Sequence, residues 1–302
     1  MTTLFLSILY NVDMKLLMLI NARSGLKNSK NHLVDVIDVF CKSGYNVTCY
    51  VTQKRNDAYD YLMRNRVSYD IICVFGGDGT MNEVSNALMR KKHKPLLGYF
   101  PSGTMNDFGS NFDLSTDFLA NANRICEGNI REFDVGQYNG KYFNYVAAFG
   151  AMCDVPFTTD RNAKEILGNI AYILEGIGKL PEIKPNKVKY TINGKTYNKD
   201  VLFGLVYSGN RVAGMELEDK KRSHIDDGMF NVLIVDYPLV LIDPMELFDT
   251  LTNATKMIHR YRTDRFVLES DDDIVWTLDG EKADFKNRAE IKIFKRALKL
   301  LA

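Results

Sequence analysis

A run of five apolar residues, Ile71-Ile72-Cys73-Val74-Phe75, leads into Gly76-Gly77-Asp78-Gly79-Thr80, and Met81-Asn82-Glu83-Val84 then opens a helical pattern. Residues of these types in this order suit a phosphate. Glycines let the backbone approach a ligand and turn without Cβ clashes. A helix N-terminus offers unpaired N–H groups and a partial positive charge. A carboxylate among phosphates is tolerable only with a metal or a hydrogen-bonding role, which singles out Asp78. The letters of this loop match neither a P-loop, since Gly79-Thr80-Met81 is not followed by a Gly-Lys-[Ser/Thr] and none lies within the loop, nor the dinucleotide fingerprint. A turn with a helix cap would need no ligand, but an apolar strand before the loop and a helix after it favour the phosphate reading.

Two more polar loops with glycine fit the same surface. Asn21-Ala22-Arg23-Ser24-Gly25 follows the first apolar run, and Pro101-Ser102-Gly103-Thr104-Met105-Asn106-Asp107-Phe108 follows the fourth. Farther along, Asp226-Asp227-Gly228 precedes a strand-like run, and Asp279-Gly280-Glu281 lies between two others. By residue type both are turns, and Asp-Gly between strands is a strong hairpin signal.

The elements that must hold these loops are legible as patterns. Apolar runs at residues 16–20, 47–51, 71–75 and 95–100 alternate with helical spacing at 32–41, 57–65, 81–90 and 116–126. The run at 71–75 has no polar alternation, as expected of a strand buried on both faces. Strand and helix in alternation predict βαβ units and a parallel sheet. The character changes near Phe133. Strand-like runs follow at 142–149, 187–193, 201–207, 229–235, 266–269, 274–278 and 291–294, with helical patterns at 164–179 and 244–259. The expected architecture is an α/β N-terminal domain with a parallel sheet over residues 1–133, plus a mainly antiparallel β domain over 134–296. The last few residues, near 297–302, are expected to return to the first domain. Residues 1–13 read as a dispensable extension before the strong strand that begins beside Met14.

Composition narrows the function classes. The 302 residues carry 39 Lys+Arg against 38 Asp+Glu, a net charge of +1, so a dedicated nucleic-acid binder with a basic excess is excluded. Hydrophobic residues at 46% exclude a disordered chain. No apolar run approaches the ~20 residues of a membrane span. Cys41, Cys49, Cys73, Cys126 and Cys153 have irregular spacing and mostly apolar neighbours, and read as small buried hydrophobes in a reducing cytosol. His32, His93, His224 and His259 are far apart and make no obvious zinc cluster.

The glycine loop with Asn82-Glu83-Val84, the Gly103–Phe108 segment, Asp226-Asp227-Gly228 and Asp279-Gly280-Glu281 together resemble the diacylglycerol kinase catalytic-domain family, in particular its soluble bacterial lipid kinases. The resemblance covers nearly the whole chain from Met14. It implies an ATP-dependent lipid kinase that moves the γ-phosphate to a lipid hydroxyl, foremost diacylglycerol to give phosphatidic acid, with Mg²⁺. It implies nucleotide contacts at Asn21, Ala22, Arg23, Ser24, Gly25, Thr52, Gly77, Asp78, Gly79, Thr80, Met81, Asn82, Glu83 and Thr104. It also implies a metal on the Asp227 carboxylate with the carbonyls of His224 and Met229, and Glu281 as general base alongside a catalytic Asp78. One departure is visible: the family often has Pro where this chain has Ala22. NAD kinases share the Gly-Gly-Asp-Gly loop and the two-domain plan, so an NAD kinase is the first alternative. A nucleotide- or lipid-binding regulator without catalysis is the second.

A lipid acceptor implies a membrane surface without a spanning segment, hence a cytoplasmic protein peripherally associated with the inner face of the membrane. Basic clusters at Lys184/Lys187/Lys189, Lys220-Lys221-Arg222, Lys256/Arg260/Arg262/Arg265 and Lys292/Lys295/Arg296/Lys299 could meet an anionic surface. A sheet edge in the second domain could pair two copies as a homodimer. Diacylglycerol, phosphatidylglycerol, a sphingoid base and a polyprenol all stay open as acceptors.

Overall fold

A strand with five apolar residues in a row cannot keep one face in water, so it must run through the middle of a layered structure. That is where β3 (Ile71–Gly76) lies, buried at every position. The computed structural model describes residues 14–22, 29–65, 67–103, 105–153, 184–212, 214–217, 223–237 and 257–302. Outside them lie residues 1–13, the helices expected over 164–179 and most of 244–259, the site candidates Arg23, Ser24, Gly25 and Thr104, and the basic residues Lys220, Lys221, Arg222 and Lys256. The chain divides into two compact units. One ends at Val135 and is completed by Lys295–Ala302; the other is Gly136–Phe294.

In the first unit β1 (Met14–Ile20), α1 (Ser29–Lys42), β2 (Tyr45–Val51), α2 (Asp57–Arg64), β3, α3 (Asp78–Leu88) and β4 (Leu96–Pro101) follow in alternation. α4 (Asp107–Ser110) and α5 (Phe118–Glu127) come next. The strands lie in the order β2-β1-β3-β4, all parallel, with Leu16 opposite both Val47 and Ile71, and Ile71 opposite Leu96. Val36 and Phe40 of α1 and Ala122 and Ile125 of α5 pack with Leu16, Met18, Ile71 and Cys73 in one core. Asp117 caps α5 by accepting the N–H groups of Leu119 and Ala120, and Gly128 ends it in the left-handed conformation at φ 76°. Cys73 is buried, but Cys41 and Cys49 are exposed, which corrects the reading of the cysteines as uniformly interior.

The second unit is antiparallel. β5 (Ile130–Tyr138) enters it, and β6 (Lys141–Phe143), β7 (Val146–Gly150), β8 (Asn186–Ile192) and β9 (Lys195–Tyr207) follow. A two-residue ribbon, β10 (Arg211–Val212) with β11 (Met215–Glu216), precedes β12 (Phe230–Asp236) and β13 (Ile258–Thr263). β14 (Arg265–Glu269), β15 (Trp276–Leu278), β16 (Glu281–Ala283) and β17 (Arg288–Leu301) complete it. β9 is the hub, pairing with β7, β8 and β12. Phe149, Tyr190, Phe266 and Trp276 fill its core. Ile258 and His259 open β13, which overturns the end of the helix expected over 244–259.

Three strand boundaries differ from the sequence pattern for physical reasons. The run expected over 142–149 breaks at Asn144–Tyr145, because the N–H groups of these residues turn onto a distant carboxylate rather than a ladder. β9 extends back to Lys195 through polar residues that a period-2 count passes over. β17 extends from Arg288 to Leu301, with a left-handed residue at Arg296 (φ 49°), and its end joins the first unit, where Leu300 pairs parallel with Leu97 of β4.

Candidate active site

Because β1, β2, β3 and β4 are parallel, the loops after them emerge at one edge of the sheet. The structure brings three of them together. A Cβ at Gly103 would sit 2.8 Å from the Gly77 Cα, and a Cβ at Gly77 would sit 3.1 Å from the Gly103 Cα. The obstacle is backbone, which cannot swing aside, so this approach requires glycine on both sides. Ser102 N–H donates to the Gly76 carbonyl at 2.9 Å, continuing the β3–β4 ladder into the loops. Asn21 donates its side-chain amide to the Thr80 hydroxyl at 2.9 Å, linking the loop after β1 to α3. Thr52, at the end of β2, donates its backbone N–H to the Ile20 carbonyl at 2.9 Å and is buried.

Asp78 opens α3, and no side chain caps that helix at Gly77. The Asp78 carboxylate reaches across to the loop after β4. Its Oδ2 accepts the Asp107 N–H at 3.1 Å and its Oδ1 the Phe108 N–H at 3.2 Å, so it serves the N-terminus of α4. Tyr99 donates its phenol to the same Oδ1 at 3.5 Å; burial first, and Asp78 second, push that phenol well above its ordinary value. Asn106 adds a local brace, accepting the Gly103 N–H at 2.7 Å and donating to the Gly103 carbonyl at 2.9 Å.

The other candidates on α3 have distinct surroundings. Met81 is fully buried in the core, so only its backbone is available to a ligand. Asn82 accepts from the Asn86 amide one turn on, through both its carbonyl and its side chain. Glu83 accepts the N–H groups of Asn56 at 2.8 Å and Ala58 at 3.1 Å, and so caps α2, whose own N-cap residue Asn56 makes no side-chain cap. Ala22 is exposed.

In the second unit Asp227 lies in the turn before β12. Its Oδ1 accepts the Met229 N–H at 2.9 Å and its Oδ2 the His224 N–H at 3.3 Å. The Arg262 guanidinium also donates to Oδ2, at 2.6 Å. The three residues of the expected metal set are therefore together, but a cationic side chain that sequence reading missed is bound to the carboxylate. Among the described residues no group of three or more His, Cys, Asp or Glu is gathered as for a metal. Glu281 begins β16, directly after a two-residue turn in which Asp279 (φ 48°) and Gly280 (φ 85°) are both left-handed. That is the backbone demanded by a type I′ hairpin.

Several basic residues of the expected clusters form ion pairs among the described residues. Lys189 and Arg288 meet Glu269, Arg265 and Lys292 meet Glu290, and Arg296 and Lys299 meet Glu132. No helix among the described residues is long and apolar enough to cross a membrane.

The family model for the diacylglycerol kinase catalytic domain matches residues 15–138, which span the parallel sheet and all three converging loops. A diacylglycerol kinase from Staphylococcus saprophyticus is 35% identical over 219 residues, covering 72% of this chain and 71% of that protein. One from Staphylococcus aureus is 34% identical over 219 residues, covering 72% and 69%. The chain belongs to the diacylglycerol kinase catalytic-domain family. The fold is shared with the crystal structure of a diacylglycerol kinase from Bacillus anthracis, at a TM-score of 0.73 and 19% identity over 95% of this chain and 96% of that one.

The cap made by Glu83 has a pH signature. Burial raises its carboxyl above the ordinary 4.5, against the opposing pull of the backbone N–H groups it accepts. The folded state then binds its proton more tightly than the unfolded state, so this contribution to stability is full below 4.5 and is lost as pH rises through the raised value. Thermal midpoints measured against pH should fall through that window in the parent, and Glu83→Gln should remove that part of the slope. An unchanged slope in the variant would refute the assignment.

Proposed function

We propose that this chain transfers the γ-phosphoryl group of ATP to a lipid hydroxyl, with diacylglycerol as acceptor and phosphatidic acid as product. The observation that carries the reading is the backbone contact of Gly77 with Gly103, with Asp78 anchoring the second loop, in a member of this family. Phosphoryl transfer depends on positioning and charge stabilisation more than on covalent help from the protein. In this reading the backbone of Gly77, Gly79, Thr80 and Met81 and the loops carrying Asn21–Gly25, Thr52 and Thr104 orient the nucleotide. Asn82 and Glu83 set the helix and loop geometry beneath it.

Glu281 takes the proton of the acceptor hydroxyl. The freed oxygen forms a bond to the γ-phosphorus, the bond from that phosphorus to the β–γ bridging oxygen breaks, and ADP leaves. A donor set of one carboxylate, phosphate oxygens and water suits magnesium, and Asp78 fits as its protein member. Magnesium bound there supplies neutralisation of the charge developing on the phosphoryl oxygens. Asp227 does not fit a metal in its observed arrangement, since the Arg262 guanidinium already brings a positive charge to its Oδ2, whereas the Asp107, Phe108 and Tyr99 groups that donate to Asp78 are neutral backbone and phenol donors.

The acceptor is a lipid, so the reaction belongs at a membrane surface, with the protein peripheral on the cytoplasmic face. If the exposed basic clusters meet an anionic surface, co-sedimentation with phosphatidylglycerol vesicles weakens as salt rises, and binding that does not weaken counts against electrostatic docking. A sheet edge of the second unit remains our candidate for a homodimer contact.

Glu281→Gln is expected to lower kcat by roughly 10²–10⁴-fold with an unchanged circular dichroism spectrum. Asp78→Ala should also abolish most turnover and, by orphaning the Asp107 and Phe108 N–H groups, destabilise by about 1–3 kcal/mol. Labelled ATP offered with diacylglycerol, NAD and a mixed lipid pool, with products read by mass spectrometry, tests the acceptor. Phosphorylation of NAD, or full activity in Glu281→Gln, would refute the reading. For the Asp227 turn, Arg262→Ala should make the thermal midpoint rise on adding magnesium, with a much smaller rise in the parent. An equal rise in both would show that Arg262 does not stand in for a metal.

A further inference from the structure

Asp279 is part of a turn, and its left-handed φ of 48° beside Gly280 would be explained by the hairpin alone. Its carboxylate is not explained that way. Asp279 is 5% exposed, whereas a charged residue at a hairpin tip ordinarily stands in water. Three backbone donors surround it. Asn144 N–H reaches Oδ2 at 2.7 Å, and Tyr145 and Val146 N–H reach Oδ1 at 3.1 Å each. The Asp279 N–H returns the contact by donating to the Val146 carbonyl at 2.8 Å. Burying a carboxylate is unfavourable unless hydrogen bonds replace its water, and charge-assisted bonds to N–H groups are the strong kind.

This anchorage has a mechanical consequence. β15 and β16 share three residue pairs, and β15 holds β7 through three more. Such short strands are prone to local opening. Glu281 pairs with Leu278 directly across the turn, so its backbone position follows the turn. The Asp279 carboxylate ties that turn to the entry of β7, which is itself built into the sheet beside β9. The break between β6 and β7 is the counterpart of the same device, since it frees the Asn144 and Tyr145 N–H groups to point at Asp279.

We propose that Asp279 is a positioning residue for the reaction: its carboxylate fixes the β15–β16 turn on the start of β7 and thereby holds Glu281 where it can accept the proton of the acceptor. The inference rests on the reading of Glu281 as general base. Asp279 touches neither nucleotide nor lipid in this scheme. It acts through Glu281, and since the nucleotide loops belong to the other unit the expected effect falls on kcat and not on the ATP KM.

The test is a double-mutant cycle in the full chain, well below the thermal midpoint of every variant. Asp279→Ala is expected to lower kcat by about 10²-fold with the ATP KM unchanged, the size of effect a misplacement near 1 Å produces. In the Glu281→Gln background the same substitution should change kcat by less than about threefold, because the group it positions is already gone. Equal losses in both backgrounds would indicate a general structural role and overturn the proposal, as would an unchanged kcat for Asp279→Ala in the parent. Full activity of Glu281→Gln alone would instead refute the base assignment, and the inference would fall with it. If Asp279→Ala does not fold, Asp279→Asn serves: it tolerates the left-handed turn and keeps one acceptor oxygen. A lowered kcat at constant ATP KM, again confined to the Glu281 background, supports the proposal; an unchanged kcat overturns it.

Discussion

Two segments of main chain touch at Gly77 and Gly103, and the geometry of the first unit's loops depends on that contact. It requires strands β3 and β4 to run parallel and to end in register, so that Gly76 faces Pro101 and the loops leave side by side. It requires the helix after β3 to start at once, because Asp78 must reach the N–H groups that open α4. The apolar, doubly covered β3 is the foundation of both conditions.

A shared device recurs in both units. Asp78, Glu83, Asp227 and Asp279 each accept two or more backbone N–H groups from a segment that would otherwise lack partners. A carboxylate is well suited to this, since it offers several lone pairs and bonds more strongly than a neutral acceptor. Residues that stand out in the sequence as candidates for chemistry are thus also the braces of the loops that would perform it. In the proposed reaction both roles fall on one side chain at Asp78. In the same proposal they are divided in the Asp279–Glu281 turn between one buried and one exposed residue.

The parallel layer was readable because its signals are local. Ile71–Phe75 states its burial by composition, Gly128 states the end of α5, and Asp-Gly at 279–280 states a turn. What escaped reading was long-range. Nothing near Asn144 in the chain announces that its N–H will meet a carboxylate 135 residues later, so the strand there seemed continuous. Arg262 reads as one more basic residue of a β-strand until the fold brings it to Asp227, 35 positions back. Glu83 looks like part of a ligand loop, yet its partners lie 27 and 25 residues upstream, at the start of a different helix. The ion pairs of Arg265 with Glu290 and of Lys299 with Glu132 are long-range in the same way, since their acidic partners come from other strands.

The return of β17 gives the chain an order of assembly. On the ribosome, β1 to β4 emerge early and are able to pair, but β4 gains its outer neighbour only when Lys295–Ala302 arrives. The whole second unit is synthesised in between. Until then β4 presents a row of unsatisfied amides and carbonyls, the kind of edge that invites pairing with another nascent chain. Closure of the first sheet is therefore a late, non-local event, and the speed of folding should be limited by that long connection rather than by the local βαβ units.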